Sequence, residues 1–180
     1  MKFRVAFIVI CLIACIICIS SCASLGPVYQ SADTPTEKAV IYVYRPWRIY
    51  LSVRYYSLWD VTDAIAKKKV NIVYDQGKDY PRIDTLEEGM KYGKKLARIV
   101  NGSYYAYTVD PGVYYFLVEE TGQWGTSGAD LVTRVDAKAG KRYFFASHPS
   151  FIGAAPSLEF RTVAQGEEEI PGCKMAVEGK

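Results

Sequence analysis

The chain has 180 residues, of which 22 are basic and 19 acidic, giving a formal net charge of +3. Lys2 and Arg4 belong to an apolar N-terminal segment without acidic residues, and setting them aside leaves 20 basic residues against 19 acidic ones, a net charge of +1. So balanced a charge argues against nucleic acid as a partner, because nucleic-acid binding requires a clustered basic excess.

The N-terminal segment, residues 1–21, has the pattern of a secretory signal peptide. Lys2 and Arg4 precede an apolar run from Val5 to Ile19, and small residues follow. A transmembrane helix is the alternative interpretation. A membrane span needs about 20 apolar residues, and this run is shorter, so a signal peptide is favoured.

The end of this segment resembles the lipobox of bacterial lipoproteins. In Ile19-Ser20-Ser21-Cys22, an apolar residue and two small ones precede a cysteine. The resemblance implies cleavage before Cys22, a diacylglyceryl group on its thiol and an acyl chain such as palmitate on its amine. Ala23 at the next position, rather than Asp, implies the periplasmic face of the outer membrane in a cell with two membranes. A later cut that leaves Cys22 unmodified is the alternative.

Cleavage also changes the cysteine count. Of five cysteines, Cys11, Cys15 and Cys18 leave with the signal peptide, Cys22 becomes the lipidation site, and Cys173 stays as the one thiol of the folded part. The spacing does not match a zinc pattern. An unpaired thiol in an oxidising compartment is either buried or paired with another chain, and we expect burial.

A spacer and a single domain follow. Residues 22–38 are rich in Ser, Thr, Pro and Ala, which predicts a flexible tether with a reach of roughly 50 Å. Residues 39–180 have the length of one domain. We therefore expect a lipid anchor, a tether and one folded unit.

Strand patterns fill this domain. Ala39 to Pro46 is apolar on both alternating faces, as in a central strand, and Pro46 ends it. Short strands bounded by turn residues predict an all-β fold, an antiparallel β-sandwich of the immunoglobulin or prealbumin-like kind. A helix is predicted only around Thr85 to Tyr92. The further strand segments are Arg48 to Val61, VNIVYD, KKLARIV, SYYAYTVD, VYYFLVEE, DLVTRVDA, KRYFFASH and SLEFRTVA.

Two turns predict a three-stranded meander in the middle of the domain. Asn101-Gly102 is typical of a type I′ hairpin turn, which needs positive φ at both positions. Asp110-Pro111-Gly112 predicts a second turn, with positive φ at the glycine. The resulting register predicts one core face, made of Leu96, Tyr105, Tyr107, Val109, Tyr114, Phe116 and Val118.

Several segments in a fixed order resemble the small bacterial lipoproteins of domain-of-unknown-function family 2846. They are AVIYVYRPW, VNIVYDQGK, LARIVNGSYYAYTVDPGVYYF, AGKRYFF, PSLEF and IPGCK. The resemblance covers most of Ala39 to Lys174, except for an insertion at residues 79–93, where such proteins have a short turn. It implies a fold and a location but no activity.

Exposed aromatic side chains are the first candidates for partner binding. Tyrosine offers a flat face with a polar tip, which suits stacking on sugars and protein interfaces. The alternative is that these rings simply fill strands. The candidate platform consists of Tyr104, Tyr115, Tyr55, Tyr56 and Trp124.

Catalytic and metal sites have little support. His148 is the only histidine, and one histidine does not build a zinc site alone. A pair of His148 and Cys173, or His148 with a neighbouring serine, is the remaining hydrolase hypothesis. No metal and no cofactor are expected.

The lysine segments Lys67–Lys69 and Gly93–Lys95 suggest contact with anionic lipid headgroups. The alternative is that they form a solvated strand edge.

Three functions remain as hypotheses. The first is a non-catalytic, lipid-anchored adaptor for another envelope protein, which uses an aromatic face or a sheet edge. The second is a lipoprotein that binds a glycan or peptidoglycan through its tyrosines. The third is a cryptic hydrolase centred on His148.

Overall fold

The computed structural model describes residues 25–31, 33–48, 55–74, 81–83, 86–121, 132–148 and 157–178. The predicted signal peptide, Cys22 and Trp124 lie outside these ranges. The described elements are β1 (Ala39–Arg45), β2 (Tyr55–Asp60), α1 (Thr62–Ala66), β3 (Ile72–Tyr74), β4 (Pro81–Ile83), α2 (Leu86–Tyr92), β5 (Lys94–Ile99), β6 (Ser103–Val109), β7 (Gly112–Thr121), β8 (Val132–Ala137), β9 (Arg142–His148), β10 (Ser157–Arg161), α3 (Val163–Glu169), β11 (Lys174–Met175) and β12 (Val177–Glu178).

Two five-stranded sheets dominate the molecule. One has the order β10-β9-β1-β6-β11, the other β12-β5-β2-β7-β8, and β3 and β4 form a separate pair. Most neighbours are antiparallel, whereas β1–β9 and β6–β11 are parallel. The predicted all-β class is confirmed, with two sheets in which antiparallel pairs predominate.

The main core lies between the two sheets. Ile41 and Val43 of β1 and Phe145 of β9 belong to the same buried cluster as Leu58 of β2 and Phe116 of β7. All seven residues of β1 are buried, as its apolar pattern on both faces predicts. The members of the predicted core face belong to this cluster or pack against it, but the cluster also contains Ala97 and Ile99, which that face did not include.

Both sheets are covered on their outer faces as well. A second buried cluster joins Tyr42 and Phe144 to Tyr29, which precedes β1, and to Ile170, which follows α3. A third cluster on the other sheet contains residues of α1, β4, β7 and β8. Covered outer faces explain why strands with apolar residues on both sides occur in each sheet.

The helix α3 is one of these covers, and the strand prediction for its segment is wrong after Arg161. Thr162 accepts a hydrogen bond from the backbone N–H of Gln165, whose side chain accepts one from the Thr162 N–H. This capping box starts the helix. Gly166 then faces Phe144 so closely that a Cβ atom would overlap the ring.

The predicted three-stranded meander is wrong. The strand β5 pairs with β2 and β12, β6 pairs with β1 and β11, and β7 returns to the sheet of β5. Gly102 has φ +69°, but Asn101 and Gly112 have no positive φ, so the first turn is not type I′. Each turn carries the chain from one sheet to the other.

Part of the predicted tether belongs to the domain. Gly26 N donates to Met175 O at 2.9 Å, and Met175 N donates to Pro27 O at 2.8 Å. Tyr29 is buried beside Tyr42 and Tyr104, with ring centroids 5.6 and 5.5 Å away. Residues 26–29 are thereby held against the segment that ends the described chain.

Residues 79–93, which the family resemblance predicts to be an insertion, include β4 and α2. Ile83 is fully buried among Val61, Leu117 and Val132 on the outer face of one sheet. Gly89 lies so close to Leu117 that an added Cβ would be 2.8 Å from its Cδ2. The described part of this segment therefore packs as a cover over that face, and it ends beside a pocket.

Candidate functional site

A pocket of about 570 Å³ lies at the end of the molecule where β2 stops and β5 starts. We call it the lysine–tyrosine pocket. The charged and tyrosine side chains that line it come from α1 and the turn after it, from the end of α2, and from four strands. They are Lys67, Lys69, Lys94, Tyr92, Tyr107 and Tyr114, together with Asp60 and Asp63.

One wall of the pocket is fixed by a hydrogen bond between the sheets. Tyr107 Oη donates to Asp60 Oδ2 at 3.3 Å, and Asp60 Oδ1 accepts from Thr62 N at 2.9 Å. Burial, and after it the charge of Asp60, raises the pKa of Tyr107 to about 12. The phenol is therefore protonated at physiological pH and holds the carboxylate in place.

The lysines provide the positive charge. Lys67 pairs with Asp63 at 3.2 Å. Lys69 Nζ lies 5.9 Å from the ring centroid of Tyr92, and Lys94 Nζ lies 5.9 Å from that of Tyr107, which is cation–π distance. In the described part of the chain, neither Lys69 nor Lys94 forms an ion pair.

The pocket therefore suits an anion. Asp60 is satisfied by Tyr107 and Thr62, and Asp63 is compensated by Lys67. The two other ammonium groups are left to attract a carboxylate or phosphate, and the phenol rings offer flat surfaces for a polar ring. The structure thus brings together the two lysine segments that the sequence singled out separately.

The predicted aromatic platform is wrong for Tyr56 and Tyr104, because both are buried. Tyr56 packs in the core between the sheets, with the guanidinium of Arg45 4.9 Å from its ring centroid. Tyr104 packs against Tyr29 under the N-terminal segment. Trp124 lies outside the described residues.

The two other members of that platform, Tyr55 and Tyr115, are half-buried. Arg98 Cζ lies 3.6 Å from the ring centroid of Tyr55 and covers it. Tyr115 packs against the outer cluster of the other sheet, and its backbone N–H donates to Thr62 Oγ1 at 2.9 Å. Partner binding by these rings stays a prediction.

His148 belongs to an ion network on the edge of the other sheet. Its Nε2 lies 2.9 Å from Glu159 Oε2 and 3.0 Å from Arg161 Nη2. Arg161 Nε also donates to Glu169 Oε1 at 3.1 Å, and Tyr44 Oη donates to Glu169 Oε2 at 2.8 Å. Burial is the main cause that lowers the pKa of His148.

Cys173 is a free, buried thiol, as predicted. Its Sγ contacts the backbone oxygen of Arg45 at 3.8 Å. Burial raises the pKa of the thiol to about 11, so it is not a thiolate near neutral pH. A protonated thiol is a poor nucleophile.

Metal and membrane-spanning elements were also sought within the described ranges. There, no three His, Cys, Asp or Glu side chains group as metal ligands do. No helix in the same ranges combines the length and hydropathy of a membrane span.

Comparison of the chain with protein-family models, with curated proteins and with solved structures returns no match. The site is therefore interpreted from its own geometry.

Proposed function

We propose that this chain is a lipid-anchored protein of the bacterial envelope whose β domain binds an anionic glycan and catalyses no reaction. One observation carries the proposal. Lys69 and Lys94, neither in an ion pair within the described residues, line a single pocket with three tyrosines.

The chemistry of the pocket fits a charged saccharide. Ammonium groups attract carboxylate and phosphate as compact point charges, while tyrosine rings stack on the apolar faces of sugar rings. Small-molecule sites have volumes of roughly 300–1,000 Å³, and this pocket has about 570 Å³. Peptidoglycan fragments, which carry carboxylates on a sugar and peptide frame, match this combination.

The proposed location in the cell rests on the sequence around Cys22. Ile19-Ser20-Ser21-Cys22 supports a lipid anchor, and Ala23 supports the periplasmic face of the outer membrane. The resemblance to family 2846 and the immunoglobulin or prealbumin-like form of the sandwich are parts of the same proposal. The sequence segments that occur in the family's order support the resemblance, and the two facing sheets support the form of the sandwich.

A binding role also fits the surroundings of the two groups that a hydrolase would use. His148 shares one ring nitrogen between Glu159 and Arg161, so this nitrogen belongs to an ion network. Cys173 is buried and protonated. We expect His148→Ala to leave glycan binding unchanged.

Calorimetric titration of the mature protein with soluble peptidoglycan fragments tests the proposal. We expect the Lys69→Ala/Lys94→Ala double variant to bind at least ten-fold more weakly than the wild type. Lys138→Ala, an exposed lysine outside the pocket, is the matched control and should bind normally. Equal affinity of the double variant, or equal binding of an uncharged chitooligosaccharide, would contradict an anion site.

An adaptor role is the second candidate, and one observation favours it. The strand β10 is terminal in its sheet, and Phe160 on it is 58% exposed. A sheet edge with an exposed aromatic side chain suits strand addition by a partner protein. A photoreactive residue in place of Phe160 should then crosslink to an envelope protein in intact cells, whereas one in place of Lys138 should not.

A further inference from the structure

The described chain begins at a defined place on the domain. Tyr29 N donates to Cys173 O at 2.9 Å, and Gly26 N donates to Met175 O at 2.9 Å. Val28 forms an antiparallel bridge with Lys174. The first described residues are thus fixed beside β11, at the end of the molecule where β1 stops and β6 starts.

This attachment leaves only a short length of chain between the domain and the proposed anchor. Only Ala23 and Ser24 separate Cys22 from Leu25. Three residue steps span at most about 11 Å. If Cys22 carries lipid, as the proposed function holds, the surface around residues 26–28 lies next to the headgroups, and a reach of roughly 50 Å is ruled out.

That surface exposes bulky apolar side chains. Val28, Met175 and Val177 are 38–46% exposed, and Trp47 is 68% exposed. Lys174 N donates to Gly102 O at 2.9 Å, and the Trp47 side chain lies against Gly102. The four apolar residues therefore gather at one end of the molecule.

Basic side chains surround them. Arg48, Arg98 and Lys174 are all exposed. Arg98 lies opposite Val177 in the pairing of β5 with β12. Tryptophan favours the interface between water and lipid, and basic residues near it are attracted to anionic headgroups.

We propose that this end, the anchor-proximal face, rests on the lipid bilayer, with Trp47, Val28, Met175 and Val177 in the headgroup region and Arg48, Arg98 and Lys174 on phosphates. The inference rests on the proposed lipid anchor. It fixes the orientation of the domain and not only its location. The strand β5 runs from Lys94 at the lysine–tyrosine pocket to Ile99 near this face, about 17 Å away, so the pocket would lie at the end of the domain away from the membrane.

Tryptophan fluorescence in vesicles tests this orientation. The mature acylated protein is reconstituted in phosphatidylethanolamine and phosphatidylglycerol whose acyl chains carry bromine, a quencher. We expect Trp47→Phe to lower the quenched intensity at least two-fold. Trp59→Phe is the control, since Trp59 is half-buried and its Nε1 donates to Glu119, and it should leave the quenched intensity unchanged.

A second pair of positions tests the face without altering Trp47. Val177 and Val113 are both exposed valines, but Val113 lies near the start of β7, at the opposite end of the molecule. A photoreactive residue in place of Val177 should form lipid adducts, and one in place of Val113 should not.

The outcomes separate the two proposals. An intact mass without acyl groups would remove the anchor, and with it the proposed function. Acyl groups together with unchanged quenching in Trp47→Phe, or with equal lipid adducts at both valines, would overturn the anchor-proximal face alone.

Discussion

Tyr107 donates a hydrogen bond to Asp60 across 3.3 Å and thereby joins β6 of one sheet to the end of β2 of the other. The same side chain has Lys94 Nζ 5.9 Å from its ring centroid. One tyrosine thus contributes both to the closure of the sandwich and to the wall of the pocket.

This bond should be measurable as a coupling energy. A side-chain hydrogen bond contributes about 0.5–1.5 kcal/mol, and bonds to charged groups contribute more. We expect Tyr107→Phe to lower the free energy of unfolding by about 1 kcal/mol. Urea unfolding of Tyr107→Phe, Asp60→Asn and the double variant should give a coupling of similar size, and strictly additive losses would contradict the bond.

Alkaline pH should destabilise the fold. Burial raises the pKa of Tyr29 and of Tyr107 from 10 to about 12. A group whose folded pKa is raised contributes stability that is complete below its unfolded pKa and is lost as pH rises through the folded one. The free energy of unfolding should therefore fall between pH 10 and pH 12.

Tyr29→Phe provides the comparison for this pH effect. Without the titrating hydroxyl, we expect a shallower fall over the same pH window. An identical slope in the variant would show that Tyr29 does not contribute.

Because Gly166 contacts Phe144, adding one methyl group at Gly166 should disturb the packing of α3 on the outer face of its sheet. A Cβ at Gly166 would overlap the Phe144 ring, and overpacking costs typically 1–3 kcal/mol. We expect Gly166→Ala to lower the free energy of unfolding by about that amount. Gly112→Ala is the control, because its nearest contact would be an ordinary 3.7 Å. Equal stability of the two variants would contradict the packing.

The thiol of Cys173 should be slow to react. It is buried, and its pKa is raised to about 11, so both access and thiolate fraction are low. We expect alkylation by iodoacetamide at pH 8 to be at least 100-fold slower in the native protein than in urea. Similar rates in both states would show an accessible thiol.

The strands were predictable because their signal is local. The first six residues of Ala39–Arg45 are apolar or aromatic, so they predict a strand that is buried on both faces whatever its neighbours are. The partners of a strand are set by packing between elements far apart in sequence. Asn101-Gly102 therefore predicted a turn correctly but could not show that the flanking strands β5 and β6 belong to different sheets.

The pocket could not be assembled from the sequence. Lys67 and Lys94 stand 27 positions apart, and α2, which lies between them in sequence, brings Tyr92 beside Lys69. The start of α3, in contrast, could have been predicted from the sequence. Thr162 followed three positions later by Gln165 is the pattern of a capping box. It predicts the helix that covers Phe144 and brings Glu169 to Arg161.

The proposed lipid anchor underlies both the proposed function and the proposed orientation of the domain, and mass spectrometry of the natural protein tests it most directly. In protein extracted from its own cells, the first peptide should begin at Cys22, with a diacylglyceryl group on sulfur and an acyl chain on the amine. A peptide that begins at Met1, or a Cys22 with a free thiol, would contradict the account.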